Sequence, residues 1–399
     1  MTNDPVGSTW KKWDLHVHTP SSLVHNYPGA SQDEAWEAFL VDLEAMPPEF
    51  KVIGINDYIF IDGYERARKA KLEQGRLKNI DLLLPVIELR LDKFAGVVKR
   101  EKDGTYSQSS WNQINLHVIF DAMDPKVIQQ QFLNSLTPSY QLIPDSSDWN
   151  SKWKGVITRD SLSELGKMIV ESAPADKQDD YGPHLQEGFN NLCVSLERVR
   201  EALNKHYFAG KYLIAVGKTE WENLKWDNQS IAEKRNIINQ ADLVFTASEN
   251  PAAYDMARKK LSESNVKATL LDCSDAHAPS SSENKDRVGN CFTWIKADAT
   301  FDGLVQAITE FEDRVFIGDS PPKRLLVEAN RTKYASNIRI GRKAGSTLSD
   351  TWFSVDMPLN HDLIAIIGNK GSGKSAMADI AALAGDTKNF RSFSFLKDT

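Results

Sequence analysis

Two short clusters of acid and imidazole groups stand far apart in the chain. Asp14, His16 and His18 alternate in KKWDLHVHTP, and Asp275 and His277 are again two apart in LLDCSDAHA. Alternate residues of a strand share a face, so the spacing predicts that Asp14, His16 and His18 project together. Between these clusters Asp57 closes VIGIND, Glu88 closes LLLPVIE, and His117 lies within INLHVIF. Imidazole with carboxylate suits Zn, Mn or Fe better than Mg, which prefers oxygen shells. A carboxylate shared between two ions about 3.5–4 Å apart can hydrolyse phosphoesters, because each ion acidifies bound water and neutralises phosphoryl oxygens. A single strand histidine reads more simply as a hydrogen-bonded core residue. The ordered set, with an i,i+2 pair at each end, is what points to a divalent metal.

A second constellation lies in LIAIIGNKGSGKSAMADIAALAG. Gly368, Asn369, Lys370, Gly371, Ser372, Gly373, Lys374 and Ser375 match the phosphate-loop pattern G-x-x-x-x-G-K-[ST]. Glycines let backbone N–H groups turn around phosphates, Lys374 is placed to reach the β and γ oxygens, and Ser375 offers a hydroxyl to Mg²⁺. The expected cofactors are therefore a divalent metal (Zn, Mn or Fe) at one site and ATP with Mg at the other.

Strand-like runs alternating with helical patterns must position these residues. Seven are expected as parallel strands: Trp13–Val17, Lys51–Ile55, Leu82–Ile87, Ile114–Ile119, Tyr212–Val216, Asp242–Thr246 and Ala268–Leu271. The acid and imidazole groups recur near their ends, where barrel sites are built. One helix is expected from Phe189 to His206, with Phe189, Leu192, Leu196, Val199 and Leu203 on one face. A basic helical run, Arg66–Lys78, reads as a solvated face. A boundary is expected near Pro321–Pro322, followed by strands at Ile338–Ile340, Trp352–Val355 and Leu363–Ile367 and a helix from Lys374.

Composition narrows the classes further. At 399 residues, the chain exceeds one ordinary core of about 100–200 residues, so two domains or a barrel with an appendage are expected. With 48 basic against 55 acidic residues the net charge is −7, so no global positive field draws nucleic acid. Three separated cysteines argue against a disulfide framework. Without an apolar leader or spanning run, a cytoplasmic protein with no membrane contact is expected.

Taken in order, the paired histidines after an aspartate, Glu88, His117 and the terminal Asp-x-His resemble the PHP (polymerase and histidinol phosphatase) superfamily over residues 10–320. The resemblance implies a distorted (β/α)7 barrel with up to three metal ions, acting on phosphoesters. It implies first-ion ligands at His16, His18 and Asp275, a bridging Glu88, and His117 on a second ion. His277, with His25, would serve the third. Asp14 and Asp57 would orient these ligands. The pattern departs from the family at Asp57-Tyr58, where a histidine usually follows the aspartate, and at AVGKTEW. There Lys218 stands as a phosphate contact and Glu220 as an oxygen ligand in place of an imidazole.

Residues 321–399 resemble the first part of an SMC-like ABC ATPase. The combination, with NDYIFIDGYERA and TWIKADATFDGL, is similar to the TrlF-like PHP-ATPase group, whose Asp-Tyr matches Asp57-Tyr58. Only 24 residues follow Ser375, so a truncated P-loop lobe that binds nucleotide without turning it over is expected. The resemblance implies a metal-dependent phosphoesterase acting on nucleic acid or nucleotides. Its implied partners are an ATPase lobe completed in cis or by another chain, and a second copy in a homo-oligomer. The alternative is a nucleotide-regulated sensor on a barrel that has lost its chemistry.

Overall fold

The computed structural model describes residues 6–95, 98–100, 106–108, 112–142, 152–217, 231–342, 344–345 and 354–388. Two compact units emerge, Lys11–Asp319 and Met1–Trp10 with Ser320–Thr399.

The larger unit is α/β, built on a nine-stranded sheet. In chain order its strands are β1 (Thr9–Val17), β2 (Phe50–Tyr58), β3 (Leu82–Ala95), β4 (Asn112–Phe120), β5 (Tyr212–Val216), β6 (Leu243–Thr246), β7 (Leu270–Asp272), β8 (Thr293–Ala297) and β9 (Val315–Ile317). Their order across the sheet is β7-β6-β5-β4-β3-β2-β1-β8-β9. The sheet curls until it nearly closes. Just beyond β7, Ala276 bridges Val17 in parallel, with His18 N–H donating to the Ala276 carbonyl at 2.9 Å.

All seven expected strands are present, but they are not all parallel. β4 runs antiparallel to both β3 and β5. The reason is the connection. Between β3 and β4 the chain forms a short antiparallel ribbon, Val98–Arg100 against Tyr106–Gln108, rather than the crossover helix that a parallel return needs. β8 and β9 extend the sheet as an antiparallel pair that the sequence reading did not include.

Two apolar layers hold the sheet. One lies on the inner face, with Trp13, Leu15, Val86, Leu243, Phe245 and Leu271 among its members, and is joined by Phe301 and Leu304 of helix Phe301–Thr309. The other packs helices such as Gln32–Glu44 and Asp62–Glu73 against the opposite face, where Trp36, Phe39, Tyr64 and Val17 meet. Fully burying each such side chain contributes about 1.5–3 kcal/mol. Ser31, Thr158 and Thr300 start their helices by accepting from first-turn N–H groups.

The single helix expected from Phe189 to His206 is two helices, His184–Asn191 and Leu196–Leu203. The break has a cause in β3. Val194 turns out to pair with Leu91, its N–H donating to Arg90 and its carbonyl accepting from Asp92. Ser195 then caps the second helix.

In the smaller unit, Asn337–Ile340 pairs antiparallel with Val355–Pro358, and helix Lys374–Ala384 follows the glycine-rich loop. The strand expected at Leu363–Ile367 does not form. A strand needs a hydrogen-bonding neighbour, and among the described residues no segment pairs with this run. Leu363 and Ile367 are left exposed. Among the described residues no helix is long and apolar enough to cross a membrane.

Candidate metal centre

β1 does not keep a simple alternation through its chemical residues. Its pairing with β2 shifts register between Asp14 and Val17. Trp13 and Leu15 belong to the inner apolar layer and Val17 to the outer one, so the parity reverses between Leu15 and Val17. His16 and His18 still face one site, but Asp14 does not share their face, as the expected alternation required. The Asp14 carboxylate instead accepts from the backbone N–H of Ser274 at 3.0 Å, and burial pushes its pKa up. It ties β1 to the turn that carries Asp275.

The irregularity needs space, and Gly54 on β2 supplies it. A Cβ at Gly54 would lie 2.5 Å from the Leu15 carbonyl oxygen and 2.7 Å from its Cα. No side chain fits there.

Four elements bring five ligand-type residues together. His16 Nε2 lies 3.2 Å from His18 Nε2, 3.1 Å from Asp275 Oδ1 and 3.4 Å from Glu88 Oε2. His117, directly opposite Glu88 on β4, places Nε2 3.3 Å from the same Glu88 oxygen. Two groups with metal-ligand spacing result, His16 with His18 and Asp275, and His16 with Glu88 and His117. Apart from Asp275 the set is buried. The Asp275 side chain is 41% exposed and leaves the centre accessible from that side.

The donor set fits a divalent ion. Among the described residues neither ring nitrogen of buried His117 has a hydrogen-bond partner of ordinary geometry, and an imidazole so placed lacks a ligand. Burial disfavours charge throughout, yet the groups have divided it between them. Burial pulls His16 down, but Asp275 and Glu88 outweigh it and hold its pKa up. His18 is pulled down by burial and by neighbouring His277, so it stays neutral. Burial would raise Glu88 and Asp275, but the surrounding imidazoles hold both carboxylates low. A proton on His16 thus stands where an ion's positive charge would serve the same acids.

Residues around this set fix its geometry. Both Glu88 oxygens are held by amides, Oε2 by Asn56 Nδ2 at 2.9 Å and Oε1 by Asn115 Nδ2 at 2.7 Å. Neither asparagine was among the expected site residues. Asn115 carried a readable signal, since it is two residues from His117 on one strand. His18 Nδ1 is 3.2 Å from Ser22 Oγ, which orients the ring through its far nitrogen. Asp275 adopts a left-handed backbone (φ +51°), a conformation that Asp tolerates better than most residues and that directs its carboxylate to the histidines.

Asp57 does not touch the ligands. Its carboxylate accepts from the Thr19 N–H and hydroxyl, each at 2.8 Å, and so anchors the turn after β1. Burial pushes its pKa up to about 7. His277 stacks on His18 with ring centroids 4.0 Å apart, outside both metal-type groups. Its Nδ1 donates to the Asp275 carbonyl at 2.8 Å, and its Nε2 is 3.2 Å from the Tyr58 hydroxyl. Tyr58 thus occupies that nitrogen. His25 is half-buried on the loop after β1, and the Tyr27 N–H donates to its Nδ1. Lys218 and Glu220 lie outside the described residues.

In the smaller unit, Gly371 and Gly373 have φ of +84° and +83°, which favours glycine at both. Lys374 Nζ donates to the carbonyls of Gly368 and Asn369, each at 2.8 Å, so its ammonium folds back over the loop. Asn369, Lys370, Gly371, Ser372 and Ser375 are exposed.

Compared with known proteins, the chain matches no protein-family model and no curated protein.

Proposed function

We propose that the larger unit is a metal-dependent phosphoester hydrolase of PHP type, acting on nucleic acid or nucleotides. The observation that carries this reading is the shared His16, whose Nε2 lies within 3.4 Å of both Asp275 and Glu88. His16, His18 and Asp275 would hold one ion, and Glu88 and His117, with His16 beside them, a second. Such ions supply positive charge to phosphoryl oxygens and make bound water acidic enough to attack near neutral pH. The chain's own residues do the rest. Asn56 and Asn115 keep the Glu88 carboxylate turned toward the imidazoles, and Asp14 and Asp57 fix the turns that present Asp275 and His18. The open side of Asp275 gives substrate and water their approach.

The smaller unit is read as a nucleotide-binding part of an SMC-like ATPase, taking ATP with Mg at Gly368–Ser375. Positive φ at Gly371 and Gly373 supports this, as does Lys374, whose ammonium could exchange its loop carbonyls for phosphate oxygens.

Hydrolysis of bis-p-nitrophenyl phosphate and of a short oligonucleotide, with Mn²⁺ or Zn²⁺, tests the enzyme reading. The expected result is turnover lost in a His16→Ala, His18→Ala double variant. Undiminished turnover in that variant contradicts it. One observation favours a second reading, a nucleotide-regulated sensor: Tyr58 engages His277 where a third ligand group would otherwise form. Bound metal without turnover of either substrate would select that alternative.

A further inference from the structure

We propose that Arg90 binds the anionic phosphoryl group of the substrate. The inference rests on the phosphoesterase reading above and names the residue that selects for a phosphate ester.

Arg90 follows Glu88 by two positions on β3, so the two side chains leave the same face of the sheet. Its cross-strand partner is Asn115, whose amide holds Glu88 Oε1. Two residues along a strand span about 6–7 Å. The guanidinium therefore starts one step beyond the bridging carboxylate, toward the C-terminal end of β3.

Its support is rigid. Arg90 Cζ lies 4.0 Å from the centroid of the Phe189 ring, and Nη1 is 3.5 Å from the Phe189 carbonyl. Phe189 is buried and packs at 5.3 Å against Tyr58, whose ring lies 4.6 Å from His18. A continuous aromatic path thus links the guanidinium to the metal-type cluster.

Among the described residues its charge lacks a match. Arg66, Arg76, Arg159, Arg258 and Arg314 each pair with a carboxylate. Among the described residues none pairs with Arg90. Among the described residues this half-buried cation faces only a ring and one long carbonyl contact, an environment that satisfies it poorly. A tetrahedral oxyanion answers that deficit, because the guanidinium fork matches two of its oxygens. A neutral ester would leave Arg90 without a counter-charge, so the site selects against it.

Inorganic phosphate, titrated into Mn²⁺- or Zn²⁺-loaded protein and followed by calorimetry, tests this directly. Arg90→Gln is expected to weaken phosphate binding by about tenfold or more while metal content stays unchanged. Arg90→Met, which keeps an apolar stem over Phe189, gives the same reading if the glutamine variant does not fold. Arg90→Lys should recover part of the loss. Phosphate binding within about twofold of wild type in both neutral variants overturns the proposal, even if the wild-type protein hydrolyses phosphoesters. Conversely, Arg90-dependent phosphate binding in a protein that hydrolyses none leaves this inference standing and defeats the enzyme reading.

Discussion

His16 Nε2 lies 3.1 Å from Asp275 Oδ1, and this contact joins the first strand of the nearly closed sheet to the turn that follows its seventh. The same contact sets the charge of the site. His16 is a cation held between acids rather than a neutral ligand, because Asp275 and Glu88 together overcome the burial that opposes its protonation.

An ion must therefore displace a proton. The pKa of His16 is raised from 6.5 to about 9 in the folded protein, so the ring is charged at neutral pH and must lose its proton to ligate. Metal affinity is expected to rise with pH up to about 9 and then level off. Calorimetric titration with Zn²⁺ at pH 7.5 in buffers of different ionisation enthalpy should report the release of roughly one proton. Binding with no proton release contradicts the assignment.

Gly54 is expected to tolerate no side chain. Gly54→Ala places a methyl group against the Leu15 backbone, and overpacking of that kind costs about 1–3 kcal/mol. Metal affinity should fall with stability, since the irregular stretch of β1 sets the direction of His16. Gly341→Ala, with nothing within 4 Å of the added carbon, should leave both nearly unchanged. Urea unfolding of the two variants measures the difference, and equal stabilities would refute the steric argument.

Asp57 makes stability depend on pH with a definite sign. Its pKa is 3.8 when unperturbed and about 7 when folded, so the native state holds the proton more tightly. Its contribution is full below about 3.8 and is lost as pH rises through about 7. Relative to Asp57→Asn, which does not titrate, the wild-type protein should lose about 2–3 kcal/mol between pH 5 and pH 8. A stability gap that stays constant over this range contradicts the buried, protonated carboxyl.

The proposed phosphate loop has its own test. Lys374→Ala removes the ammonium that folds over Gly368 and Asn369. It is expected to abolish binding of a fluorescent ATP analogue while leaving metal content at wild-type level. Retained nucleotide binding contradicts the loop assignment.

Much of this architecture was legible in the residues, for reasons that particular positions show. The seven strands were readable because buried strands are short apolar runs, and Glu88 and His117 stood out as polar groups inside such runs. The face of Asp14 was not readable. A register shift depends on what β2 offers opposite, and only the pair of Leu15 and Gly54 reveals it. The direction of β4 was hidden in the β3–β4 connection, which forms a ribbon where a crossover helix was assumed. The break after Asn191 was equally non-local, since Val194 leaves the helix to pair with Leu91. For Leu363–Ile367 the apolar pattern was a true strand signal without a pairing neighbour among the described residues. Asn56 and Arg90 were not readable, because their meaning lies in what Glu88 and Phe189 bring beside them, whereas the spacing of Asn115 from His117 could have marked it.

Metal stoichiometry in paired single variants tests the shared centre most directly. His16 belongs to both ligand groups and His117 to one. Elemental analysis of protein equilibrated with Zn²⁺ should therefore show two ions in the wild type and at most one in either His117→Ala or His16→Ala. A wild-type protein that binds no ion, or a His16→Ala variant that keeps the full complement, contradicts the account.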